Sequence, residues 1–541
     1  MTNQDNNTIS ANWRCFVACG IVVLSPFQYG LDFGLIGGLQ AMPGFLKASY
    51  EFSSIVSFDI VPVGDVIYGH PAPETSLGWN ISTVRQQLIS SFMTLGAFIS
   101  AGLAGVIATK LGRKPCLWLS ALLCAVANVI MMTTTHIGAL YVGRILVGVA
   151  NGGFMTFSQL YIQESSPAKY RGLFFSFFQF CVSFGTLIGT IVDWATAGRP
   201  DRSAYLIPLG IIYVIPMILS IGLLFIPESP RWLILNGRLD DGHKSLLWLR
   251  PSGSNIDSEV SEIRTAIQKD AETKSGVGFL EMFKDPVDRR RTLLSVSAVS
   301  LQGVPGSMFI IPYKAYFLAI AQVKEPFAMT NVMSTAGLVA IIINAFIVVR
   351  YGRRRVLMTT GLILCGICQL IMAVVYDKHP GSVGTGRALV GMSSLYMFFF
   401  NGMITSYSWL VAGEIPSQRL RSYTFGTSTA IGFLFSWLVS FTTPYFINPD
   451  SLNWGPRYGY IWFPACIIGA AWTFAFLPEL KGRTLEEINQ MFEARLLARK
   501  FRTYQCYPVV EDAEPRTSKE EAEIMVVEDV EKISRSQNEG V

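Results

Sequence analysis

The sequence predicts an all-α integral membrane protein, with twelve membrane-spanning helices in two pseudo-symmetric six-helix bundles. Three observations carry that prediction: the composition, the number of apolar runs, and a set of motifs that occurs twice. Of the 541 residues, 51% are hydrophobic and only 15% are charged, against roughly 25% charged in an average soluble protein. So few charges cannot cover a water-facing surface of this size, and the remaining apolar surface must face lipid.

A helix needs about 20 mostly apolar residues to cross a bilayer. Such runs lie near 16–39, 84–108, 115–134, 138–162, 172–193 and 204–226. After a polar stretch they resume near 293–321, 329–350, 355–376, 387–411, 422–445 and 457–477. The chain therefore divides into an N-terminal tail (1–15), a first bundle (16–230), a linker with short amphipathic helices (231–290), a second bundle (291–484) and a tail (485–541). That last tail begins helical, then turns polar and acidic, and is expected to be largely disordered. The opening MTNQDNNTISANWRC lacks the basic segment of a cleaved signal, so the first run reads as a retained helix.

The net charge of +5 is modest, but its placement is informative. Lys110, Arg113 and Lys114, Lys169 and Arg171, Arg350 and Arg353 to Arg355, and Arg419 and Arg421 follow spans 2, 4, 8 and 10. The connection after span 1 has Lys47 against Glu51, Asp59, Asp65 and Glu74. Basic residues favour the cytoplasmic side, which places both termini and the linker there, as expected for a multi-pass protein of the cell membrane. Asn80-Ile81-Ser82 is then a glycosylation sequon on the outer side, with Asn80 the acceptor.

Almost all of the nine cysteines fall in or beside apolar runs, so no disulfide framework is expected. Cys365 and Cys368 have CxxC spacing, but inside GLILCGICQLIMAVV they read as small core residues. No nucleotide loop, metal-ligand spacing or nucleophile constellation occurs, and His70, His136, His243 and His379 scatter through connections. An enzyme, a cofactor, a bound metal and a nucleic-acid partner are all disfavoured.

The two halves share their punctuation. Gly112-Arg113-Lys114 recurs as Gly352-Arg353-Arg354, and Gly143-Arg144-Ile-Leu-Val-Gly148 as Gly386-Arg387-Ala-Leu-Val-Gly391. Glu164, Pro167 and Arg171 are echoed by Glu414, Pro416, Arg419 and Arg421, and Pro227-Glu228 by Pro478-Glu479. Positive-inside anchoring accounts for part of the arginine content. The matched acids add a second expectation, a cytoplasmic gate built from Arg113, Glu164, Arg171 and Glu228 in one half and Arg353, Glu414, Arg421 and Glu479 in the other.

Asp32 is the one acidic residue within its span, and a carboxylate at membrane depth is a functional candidate by default. It lies ~24 Å above the cytoplasmic start of span 1 at 1.5 Å per residue. Arg144, near the outer start of span 4, is the expected partner.

PESPRWL at 227–233, PELKGRTLEEI at 478–488, the LGRK and YGRRR loops and YGLDFGLIGG in span 1 together resemble the sugar porters of the major facilitator superfamily over about residues 16–495. The closing stretch from NWGPRYGYIWF onward resembles fungal α-glucoside and disaccharide permeases. The resemblance implies two parallel halves and proton symport, with Asp32 accepting the proton and Arg144 modulating it. It places Gln179, Gln302, Tyr313 and Trp409 at sugar-ligand positions, and Asn401 near the pocket. This sequence also departs from the family. Thr109 and Val349 replace the usual loop aspartates, Gly303 and Met308 replace a Gln and an Asn of span 7, and Ser436 and Ser440 replace the asparagines of span 11. A less polar pocket implies a disaccharide or other oligosaccharide rather than a hexose, carried by a monomer. Two alternatives stand: a carrier of another polyol, a quinate-like acid or a secondary metabolite, and a non-transporting sugar sensor, against which the short tail argues.

Overall fold

In a computed structural model of the chain, the described residues are 10–47, 69–73, 78–133, 136–167, 170–199, 201–274, 280–351, 353–417, 420–481, 483, 485–504 and 506. The acidic residues Glu51, Asp59, Asp65 and Glu74, the loop basics Lys169 and Arg419, and the tail after 506 lie outside them.

Among the described residues, eleven helices are long and apolar enough to cross a membrane. The first half has span 1 (Trp13–Val22 and Leu24–Leu39), span 2 (Thr83–Leu111), span 3 (Arg113–Thr133), span 4 (Ile137–Ser165), span 5 (Arg171–Thr196) and span 6 (Ser203–Ile211 and Val214–Phe225). The second has span 8 (Pro326–Tyr351), span 9 (Arg354–Lys378), span 10 (Val383–Glu414), span 11 (Arg421–Ile447) and span 12 (Gly459–Phe476).

Span 7 completes the twelve but is broken into Pro286–Ser300 and Ser307–Ile320. Its missing turn contains Pro305, which has no N–H to donate, and Gly306, at φ +71. A Cβ on Gly306 would meet the Trp462 ring at 2.6 Å, so glycine is needed both for its conformation and for room. Backbone freed by a break must be satisfied within the protein. Here the Tyr396 hydroxyl donates to the Pro305 carbonyl at 2.8 Å and Gln369 Nε2 at 3.3 Å.

Within a half, small residues let helices touch backbone to backbone, the packing that membranes favour where lipid removes the hydrophobic drive. Gly30 and Gly34 of span 1 face the carbonyls of Val182 and Thr186 on span 5, and Gly185 and Gly189 of span 5 face those of Phe27 and Leu31. The glycines of YGLDFGLIGG are therefore a packing surface. Phe225, Phe346 and Ile468, each at least 70% exposed, point outward as lipid-facing residues.

The linker folds as Pro230–Leu235, Leu239–Leu249 and Ile256–Lys274. It docks on the first half: Arg250 pairs with Glu259 at 2.6 Å and donates to the Ser165 carbonyl at 2.8 Å, while Ser245 donates to the Glu228 carbonyl at 2.7 Å.

The two halves are held together at the end opposite the Glu–Arg clusters. Asn80 Nδ2 donates to Asn448 at 3.1 Å and to Asp450 at 3.0 Å, Tyr316 donates to Asn80 Oδ1 at 2.8 Å, and Thr83 and Ser451 share a bond of 2.7 Å. In this conformation the expected glycosylation sequon is masked. The residue is 2% exposed and its amide is spent on the opposite half, which leaves no space for a glycan. Deglycosylation is expected to leave the electrophoretic mobility of the protein unchanged.

Candidate functional site

A central cavity lies between the halves, where small-molecule sites commonly form between the helices of a bundle. Tyr29, Phe33 and Met155 of the first half contribute to its wall together with Gln179 and Thr186; Gln302, Met308, Ser334, Asn401, Trp409 and Ser436 come from the second. Four of the five expected ligand residues therefore meet here. Gln302 sits where span 7 breaks, and its Nε2 is buried with no acceptor among the described residues. Asn401 lies in a π-helical segment, Phe400–Thr405, a wide turn common at functional sites. Its neighbour Gly337 on span 8 has no room for a Cβ because the Asn401 amide fills the space.

Tyr313 is the exception and a correction. It is fully buried outside the cavity, and its hydroxyl donates to the Ser440 carbonyl at 2.9 Å. Helical periodicity explains this: Ile311 and Met308 face the cavity, and position 313 then turns toward span 11.

Asp32 is 1% exposed and sits between the cavity residues Tyr29 and Phe33, turned into its own half. The expected Asp32–Arg144 pair is not made. Asn151 Nδ2 donates to Asp32 Oδ2 at 2.6 Å, while Arg144 donates to the Ile89 carbonyl at 3.0 Å and to Met93 Sδ at 3.1 Å. Asn151 is two turns further along span 4 than Arg144, ~10 Å deeper, so Asp32 lies at the level of the amide. Arg144 is buried at 2% exposure and makes no carboxylate ion pair among the described residues.

At the other end, each half has one ion-pair cluster. Arg113 pairs with Glu164 at 2.6 Å, and Arg354 with Glu414 at 2.5 Å. Glu228 accepts from the backbone N–H groups of Arg113 and Lys114 at 3.2 and 3.0 Å, and Glu479 from those of Arg354 and Arg355 at 3.1 and 3.2 Å. The signature glutamates thus sit at helix N-termini, where free N–H groups and the dipole favour an anion. Burial pushes the Glu228 carboxyl up from its ordinary value, opposed by these donors. Gly112 is at φ +97, and a Cβ there would crowd Glu228 and Trp232.

The pairs lie within a half, as the sequence grouping has them, and one reading changes: the second cluster uses Arg354, one residue beyond the expected Arg353. Arg353 is the exposed residue preceding span 9. Arg421 starts span 11 near Glu414, and Arg171 starts span 5 with its side chain outside the described residues. Arg354→Ala is expected to lower the melting temperature of purified protein, whereas Arg353→Ala leaves it unchanged.

Sequence reasoning missed two buried charges at membrane depth, Asp193 and Lys314, at 2% and 1% exposure. The rule that singles out Asp32 applies equally to Lys314 within FIIPYKAYFLAI. Asp193 was hidden by its place at the edge of an apolar run.

The sequence pattern of the family described as "Sugar (and other) transporter" matches residues 18–492. The chain is 27% identical to the maltose permease MAL31 of Saccharomyces cerevisiae, over 92% of this chain and 78% of that one. It is also 27% identical to the high glucose sensor RGT2 of the same yeast, over 90% of this chain but only 61% of the sensor's length. Among solved structures, the partially occluded inward open conformation of the xylose transporter XylE from Escherichia coli superposes with a TM-score of 0.69, covering 87% of this chain and 99% of XylE at 18% identity. That last likeness is one of fold.

Proposed function

This chain belongs to the family of sugar (and other) transporters, and we propose that it carries a disaccharide or other oligosaccharide together with a proton. It is a multi-pass membrane transporter working by alternating access, and not an enzyme. The observation that carries the substrate reading is the cavity itself, where Gln179, Gln302 and Asn401 offer amides beside the Trp409 face. Amides bind hydroxyls in pairs, and an indole face packs on the apolar face of a sugar ring.

The mechanism follows from which end is sealed. With the Glu–Arg clusters and both termini on the cytoplasmic side of the cell membrane, the Asn80–Asn448 contacts close the outer end, and this is the inward-facing state. Opening outward breaks those bonds and exposes the same cavity to the other side. Arg113–Glu164 and Arg354–Glu414 hold the inner helix ends of each half in fixed shape, so that the halves rock as units.

Asp32 is the proton carrier in this reading. It occupies a site separate from the sugar but on the helix that supplies Tyr29 and Phe33 to the cavity wall. Arg144, held here by the Ile89 carbonyl and Met93, is placed to take up Asp32 in the other state. Exchanging Asn151 for Arg144 changes the charge balance around the carboxyl, which links protonation to the direction the cavity faces.

The apolar wall formed by Met155, Met308 and Met397 favours one alternative, a less hydroxylated polyol or acid. Uptake of a labelled panel of mono-, di- and trisaccharides and quinate in a transporter-deficient yeast, with and without a protonophore, tests the reading. Protonophore-sensitive accumulation of a disaccharide is expected; accumulation of quinate alone selects the alternative, and glucose signalling without uptake selects a sensor. With the substrate in hand, Trp409→Ala is expected to raise the half-saturation concentration by about tenfold, the loss of one aromatic contact.

A further inference from the structure

The closed outer end contains a pair of opposite charges that the transport scheme above does not use. Asp193 is near the outer end of span 5, in the first half, and Lys314 is in the outer segment of span 7, in the second. Both are almost wholly buried. Asp193 Oδ2 packs against Gly38 of span 1, where a Cβ would collide with it, and Oδ1 has no hydrogen-bond donor among the described residues. Lys314 Nζ donates to Ser334 on span 8 at 2.6 Å, and Ser334 in turn receives Thr190 of span 5 at 3.4 Å. Among the described residues the two make no ion pair within 4 Å, and Ser334 bridges the Lys314 ammonium to Thr190, one turn before Asp193 on span 5.

A buried charge with no counter-charge is very costly. Each of these has its counter-charge on the other half, so neither half alone satisfies its own. Spans 1 and 5 must move away from spans 7 and 8 when the outer end opens. The pair therefore contributes attraction only to the closed state, while Asn80 and Asn448 supply neutral hydrogen bonds to the same seal. Ser334 also lines the central cavity, so the ammonium that closes the outer end is one hydroxyl away from the space a substrate occupies.

We propose that Asp193 and Lys314 are the positioning residues that latch the outer end shut, with Ser334 joining the latch to the cavity wall. This rests on the alternating-access reading but not on the identity of the substrate or on proton coupling.

The test uses full-length protein in lipid nanodiscs with spin labels on cysteines introduced at Val84 and Leu452. Both positions are exposed beside the Thr83–Ser451 contact, while eight of the nine native cysteines are buried. Asp193→Asn and Lys314→Met are each expected to raise the population with long label separations by about tenfold, an ordinary coupling between two sites. The charge-swapped double variant, Asp193→Lys with Lys314→Asp, is expected to return toward the wild-type distribution. Asp193→Glu and Lys314→Arg, which keep the charges, should stay closed and show that the variants fold. Single neutral variants with an unchanged distance distribution would overturn the latch. So would a charge-conserving variant that opens as far as the neutral ones, since packing rather than charge would then hold the seal.

Discussion

Replacing Asp32 with Asn is expected to abolish uphill accumulation while leaving downhill exchange of the same substrate intact. The change keeps the shape of the side chain and its contact with Asn151, 2.6 Å away in this structure, and removes only the ability to gain and lose a proton. Tyr29 and Phe33 on either side still line the cavity, so substrate binding should survive. The expected signature is a protonophore-insensitive carrier whose internal substrate level never exceeds the external level. Arg144→Ala should impair accumulation as well, because it removes the charge proposed to receive Asp32 in the outward-facing state. Loss of both accumulation and exchange in Asp32→Asn would instead make Asp32 a structural residue of the span 1–span 4 contact.

The second large effect concerns the fold. Gly30→Leu is expected to prevent assembly of the first half. A Cβ at Gly30 would overlap the Val182 carbonyl, which is backbone and cannot swing aside. Overpacking of this kind costs about 1–3 kcal/mol where side chains can yield, and more where two helix backbones must part. Gly20→Leu is the control: the same span, the same substitution, and nothing within 4 Å of the added Cβ. Fluorescence-detected size-exclusion chromatography after graded heating separates the two. Monodisperse wild-type-like protein is expected for Gly20→Leu, and aggregate for Gly30→Leu.

The architecture was legible because lipid imposes a plain rule on sequence: runs of about 20 apolar residues. Duplicated motifs at helix ends then supplied the symmetry. The cavity residues Gln179, Gln302, Asn401 and Trp409 were legible through resemblance, since no spacing rule by itself brings spans 5, 7 and 10 together. What sequence could not supply was rotation and level. Tyr313 turns away from the cavity because it is two positions past Ile311, about 200° round the helix, and Asp32 meets Asn151 rather than Arg144 because the depth of one span against another is set by packing, here two turns from the count. Sequence groups the glutamates of the two signature segments with arginines, but they cap helices with backbone donors, a role that depends on how the chain folds back from span 6 to span 3. Asp193 and Lys314 sit on helices far apart in sequence, and only the packing of the two halves brings Lys314, through Ser334, to the helix that carries Asp193.

The most direct test of proton-coupled sugar transport uses the full-length protein in liposomes, with maltose as the probe and an imposed pH gradient, acid outside. Accumulation of maltose above its external concentration is expected, accompanied by acidification of the lumen and lost when the gradient is collapsed. Maltose that merely equilibrates, at the same rate with or without the gradient and with no proton movement, would contradict it.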